Sequence, residues 1–94
     1  MISNDNIVSV RSDIIFECCD CSISASITNY QISFTAFKIS SKGYPVQESI
    51  DDRRKSYHNI VNFLNEHKKT LMSLIKRVEK KADEHDEKVY NIGV

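Results

Sequence analysis

Residues 48–52, Glu48-Ser49-Ile50-Asp51-Asp52, sit where the chain changes character, and their reading sets how much of the protein is sheet and how much is helix. The stretch has the form of a helix start. Ser49 can cap, and Asp51 and Asp52 place negative charge in the first turn, where the helix dipole favours it. From Ile50 to Tyr90 there is no proline or glycine. Ile50, Tyr57, Ile60, Val61, Leu64, Leu71, Leu74, Ile75, Val78 and Ala82 recur at three- and four-residue spacing, the pattern of an amphipathic helix. Residues 47–90 therefore read as the helical region.

Upstream the period is two. Val8, Val10, Ile14 and Phe16 share one parity, which predicts a half-buried strand over residues 7–18. Ile23, Ala25 and Ile27 alternate with serines and a threonine in a second strand. Asn29-Tyr30-Gln31 supplies a turn, and a third strand runs over residues 32–39. In that strand Ile32, Phe34 and Ala36 hold one parity while Phe37 and Ile39 take the other. Either a bulge near Ala36-Phe37 restores one face or both faces are covered there. The short links favour an antiparallel meander. The expected fold is α+β in a single domain, residues 1–94. A three-stranded antiparallel meander (1–42) precedes a long C-terminal amphipathic helix or two consecutive helices (47–90). The expected core is Val8, Val10, Ile14, Phe16, Ile23, Ile27, Ile32, Phe34, Tyr57, Ile60, Val61 and Leu64.

This arrangement carries a mismatch of lengths. A continuous helix of ~40 residues spans ~60 Å, whereas a ten-residue strand reaches ~33 Å. Leu71, Leu74, Ile75 and Val78 then have no sheet to cover them and need a partner. Either the helix breaks near Asn65–Thr70, with Thr70 starting a second helix that folds back, or these residues self-associate with a second copy. In the second case His67 falls at a core-like heptad position, where a buried polar side chain can set register.

Composition excludes more than it identifies. Thirteen basic residues balance thirteen acidic ones, so the chain is neither a generally polybasic nucleic-acid binder nor an acidic mimic of DNA. No apolar run approaches the ~20 residues of a membrane span. The start, Met-Ile-Ser-Asn-Asp-Asn, lacks a secretory signal, and the expectation is a cytoplasmic protein with no membrane contact. Three cysteines, at 18, 19 and 21, fit a reducing compartment better than a disulfide framework.

Glu17-Cys18-Cys19-Asp20-Cys21 contains one C-x-x-C pair, but a zinc site usually needs a second pair, and His58, His67 and His85 lie too far apart in sequence to form one. Between two strands the thiols also lack a helix N-terminus to activate them. The simpler reading is a tight turn at Cys19-Asp20 with Cys18 and Cys21 facing inward. No G-x-S-x-G, phosphate-cradling loop or H-E-x-x-H is present, and no enzyme, cofactor, metal or small-molecule site is expected.

Charge is instead segregated. From Arg53 to Lys81 there are nine basic residues (Arg53, Arg54, Lys55, Lys68, Lys69, Lys76, Arg77, Lys80, Lys81) against Glu66 and Glu79, and residues 83–87 reverse the sign. The expected function, by elimination, is a small non-enzymatic protein-binding module acting stoichiometrically as inhibitor, adaptor or accessory factor. Its size and lack of motifs fit phage and mobile-element proteins that target host enzymes. Arg53, Arg54, Lys68, Lys69, Lys76, Arg77 and Lys80 are the candidate partner contacts. Leu71, Leu74, Ile75 and Val78 are the candidate self-association stripe of a homodimer. The alternative is a dimeric nucleic-acid-binding or regulatory protein using the same basic helix.

Overall fold

Period-two patterning builds five strands, not three: β1 (Ile7–Val10), β2 (Ile14–Cys18), β3 (Cys21–Ile27), β4 (Gln31–Ile39) and β5 (Pro45–Arg53). They are followed by α1 (Ile60–Glu66) and α2 (Lys68–Ile92) in a computed structural model that describes residues 2–55 and 58–92. Each strand pairs antiparallel with its sequence neighbour, in the order β1-β2-β3-β4-β5. The α+β class, with its antiparallel sheet ahead of C-terminal helices, is as expected; the strand count and the helix start are corrected.

The largest correction falls on residues 45–53. They form β5 and pair with β4 along its whole length, from Gln31↔Arg53 to Ile39↔Pro45. Val46, Glu48, Ile50 and Asp52 share the inward parity of this strand. Two of the four are acidic, which hid the alternation, and both find partners on α2. Lys81 Nζ donates to Glu48 at 3.0 Å, while Thr70 Oγ1 donates to Asp52 at 2.6 Å. Ser49 caps nothing; its hydroxyl meets that of Thr35 across the strand pair at 3.0 Å. The first helix begins at Ile60 instead, where Asn59 Oδ1 accepts from the Asn62 amide at 2.9 Å.

The expected strand at 7–18 is two strands, separated at Arg11-Ser12-Asp13. A register irregularity between Ile7 and Ser9 sets Ile7 opposite Phe16, packed against the core, and Val10 opposite Ile14; Val8 and Val10 are both exposed. β4 needs no bulge. Its register with β5 is unbroken, and Phe37 and Ile39 point to the uncovered face. Tyr57 lies outside the described residues.

One face of the sheet is apolar and sealed. Ile14, Phe16, Cys18, Cys21, Ile23, Ala25, Ile32, Phe34, Ala36 and Val46 are buried there beneath Phe63 and Leu64 of α1 and Leu71, Leu74, Ile75, Val78 and Ala82 of α2. Each fully buried large side chain contributes about 1.5–3 kcal/mol of transfer free energy. Leu71, Leu74, Ile75 and Val78 thus have their partner within the chain. The geometric reason is β5: by taking residues 45–53 out of the helix it shortens the helix and widens the sheet together.

The helix breaks at His67. The His67 amide bonds back to Leu64 O at 3.1 Å, a tightened last turn, and Leu71 N resumes the helical pattern on His67 O at 3.0 Å. A single residue between helices cannot reverse the chain, so α1 and α2 run on rather than folding back.

His67 is buried, with Nδ1 2.8 Å from Asp52 Oδ2 and its ring edge-on to Phe34 and Phe63. At the other end of α2, Asp86 is buried and accepts 2.7 Å hydrogen bonds from the hydroxyls of Ser40 and Ser41. That contact ties the acidic end of α2 to the β4–β5 turn, where Gly43 takes φ 88°.

Candidate functional site

Of the seven candidate partner-contact cations, five fall into two groups. Arg54, Lys68 and Lys69 converge, with Lys55 and His58, on an open cleft of about 950 Å³ between the end of β5 and the α1–α2 junction. Asn62, Asn65 and Glu66 complete its lining, and Glu66 is the one carboxylate there among the described residues. Arg54 Nη1 donates to Thr28 O at 3.2 Å and Lys55 Nζ to Glu66 O at 2.9 Å, so both cations rest on backbone carbonyls. Among the described residues none of these four Arg and Lys side chains is paired with a carboxylate.

The second group lies further along α2. Arg77, Lys80 and Lys81 share a shallow groove with Glu48 and Glu84. Here charge is compensated within the chain: Lys81 pairs with Glu48 at 3.0 Å, and Lys80 approaches Glu84 at 3.9 Å. Lys76 is exposed on α2, and Arg53 stands at the end of β5 beside Tyr30, Gln31 and Asp51. Arg54 links that spot to the cleft, since its amide donates to Tyr30 O at 3.1 Å. Lys55, His58 and Tyr30 were not anticipated as site residues. Lys55 was legible as a cation beside Arg54, but Tyr30 lies on a distant turn that only β-pairing brings near.

Asp52, near this end of β5, is already committed. Burial works against charge on Asp52, but hydrogen bonds from Thr70 and His67 and from the Arg53 amide outweigh it and hold the carboxyl down at about 2. The Asp52–His67 pair has the composition of a catalytic dyad without its access. The imidazole is buried between two phenyl rings, and its Nε2 meets no hydrogen-bond partner among the described residues.

A different surface was missed entirely. The helices cover one sheet face; the other carries Ser22, Ser24 and Ser26 on β3 and Ser33 and Thr35 on β4. Among these small polar groups stand Ile15, Phe37 and Ile39, at 37%, 41% and 52% exposed, and at the sheet edge Val8 is 61% exposed. Phe37 and Ile39 broke parity in the sequence, and the break itself was the signal.

The cysteine turn is as expected in its geometry. Cys18 pairs directly with Cys21, both are buried, and Cys19 and Asp20 form the two-residue link. Both linking residues have positive φ, 57° and 62°, the backbone of a type I′ turn without the Asn-Gly that suits it. Cys18 Sγ lies 3.4 Å from Cys19 Sγ. Burial first, and then the neighbouring Cys19 thiol, push the Cys18 thiol up to about 11, and burial raises Cys21 as well. Raised in this way, both are poor nucleophiles at neutral pH. Among the described residues no three His, Cys, Asp or Glu side chains are grouped so as to hold a metal ion, and no helix is long and apolar enough to cross a membrane. No protein-family model, curated protein or solved structure matches this chain.

Proposed function

We propose that the chain is a non-enzymatic binding module that acts stoichiometrically on a protein partner, as an inhibitor, adaptor or accessory factor, and meets it with the uncovered face of its sheet. The observation that carries this reading is the outward placement of Ile15, Phe37 and Ile39. A half-solvated antiparallel sheet ordinarily alternates apolar-in with polar-out. Large apolar side chains at the polar positions contribute nothing to this chain's own core and would be desolvated only by another molecule. The small serines of β3 leave room between them for a partner's side chains. Arg53 shares the outward parity, so of the seven candidate cations it borders this face. The non-enzymatic part of the reading rests on the inaccessible imidazole of His67 and the poorly nucleophilic thiols of Cys18 and Cys21.

The test is capture from bacterial lysate on immobilised protein, with nuclease present, comparing the wild type with a Phe37→Ser/Ile39→Ser variant of unchanged thermal stability. One protein retained in stoichiometric amount by the wild type and lost from the variant is the expected result. Equal retention by both, or no retained protein, rejects this face as the interface.

A further inference from the structure

We propose that the cleft at the end of β5 binds single-stranded nucleic acid, with phosphates on Arg54, Lys55, Lys68 and Lys69 and a base stacked on Tyr30. This goes beyond the protein partner assigned to the sheet face and uses a different surface. Three observations converge on it. The first is compensation: Lys80 and Lys81 are answered by Glu84 and Glu48, while among the described residues none of the four cleft cations is paired with a carboxylate, Glu66 of the cleft lining included. Evenly solvated charge would show no such division between the two groups.

The second is placement against the local rule. α2 begins with Lys68 and Lys69 and has no acidic residue in its first turn, although the helix dipole favours negative charge there. Two adjacent lysines repel each other until an anion joins them, and a phosphate can pair with both. The third is Tyr30. It is 77% exposed on the β3–β4 turn, the most exposed of the large hydrophobic side chains among the described residues, and Arg54 is bonded to that turn through Thr28 O and Tyr30 O. A flat aromatic ring beside a cationic track is how single strands are held without sequence readout, because every base has a face to stack. A duplex keeps its bases stacked internally and would leave Tyr30 idle.

The measurement is fluorescence anisotropy of a labelled oligothymidylate titrated with the full chain between about 50 and 200 mM salt. Affinity should fall linearly with salt on logarithmic axes. In a Lys68→Gln/Lys69→Gln variant the slope should flatten by about 1.4, at about 0.7 per phosphate contact on a single strand. Tyr30→Ala should weaken binding roughly tenfold, Tyr30→Phe should retain it, and a duplex of equal length should not distinguish the two. All these side chains are exposed, so the variants keep the fold, and circular dichroism verifies that. Absence of salt-dependent binding overturns the proposal. So does Tyr30→Ala binding as well as wild type, or a poly-glutamate peptide binding as tightly as the oligonucleotide, which would make the cleft a site for acidic protein. Phe37→Ser/Ile39→Ser should leave oligonucleotide affinity unchanged, which separates failure here from failure of the sheet-face reading.

Discussion

The two faces of the sheet break the alternation rule in opposite directions. On the covered face Glu48 and Asp52 are polar where apolar residues belong, and each is met from the helical layer: Glu48 by Lys81 of α2, Asp52 by Thr70 of α2 and by His67 at the α1–α2 junction. On the open face Phe37 and Ile39 are apolar where polar residues belong, and no helix of the described residues covers them. The inward departures are answered inside the chain and so belong to its architecture. The outward ones are unanswered, and an unanswered departure is where a function is worth seeking.

The comparison breaks most visibly along β4 itself, where Phe34 and Phe37 are three residues apart on opposite faces. Phe34→Ala should cost about 3–5 kcal/mol in urea unfolding, by transfer and cavity terms together. Phe37→Ala should stay within about 0.5 kcal/mol. A comparable loss at Phe37 would mean that the outer face is structural after all, and the proposed interface would lose its ground.

Asp52 comes next. Its carboxyl is held at about 2 in the folded protein, against about 3.9 when unfolded. A depressed carboxylate contributes stability that is present above the unfolded value and lost as pH falls through the folded one. The contribution is about 2 kcal/mol and should disappear between about pH 4 and pH 2. Asp52→Asn should therefore remove that part of the acid limb of the stability–pH curve while lowering stability at neutral pH. An unchanged acid limb would mean that Thr70 and His67 do not hold the charge.

The smallest effect expected is at the Cys19-Asp20 turn. A Cys19→Asn/Asp20→Gly variant places at both positive-φ positions the residues that tolerate them and should gain about 1 kcal/mol. If stability instead falls, the thiol of Cys19 contributes more to the hairpin than its strained backbone costs.

Much of the sheet was legible because its residues obey a local rule. Ile14, Phe16, Ile23, Ile32 and Phe34 alternate plainly, and Cys18 and Cys21 continue the alternation through the turn. β5 was not legible, because half of its inward positions are acidic and their partners lie 18 to 33 residues away on α2. Local pattern cannot report a contact at that separation, and an acidic pair after a serine imitates a helix cap. The same blindness shaped the site. Arg54, Lys68 and Lys69 could be picked as cations, but their meeting in one cleft depends on where β5 ends. The intramolecular pairing of Lys80 and Lys81, which sets them apart from that cleft, depends on α2 crossing β5.

The sequential strand order has a consequence for how the protein is made. Every strand pairs with the one just before it, so the sheet can zip up while the chain is still leaving the ribosome, with little loop entropy to overcome. Its inner face stays bare until residues 60–82 emerge. During that interval the newest edge is β5, paired on one side only and open on the other. Carboxylates at Glu48 and Asp52 on the bare face of that edge strand disfavour pairing with a stranger, the task charged residues perform on exposed edges. The same two residues then receive α2 when it arrives, so the guard of the unfinished sheet becomes the fastening of the finished one.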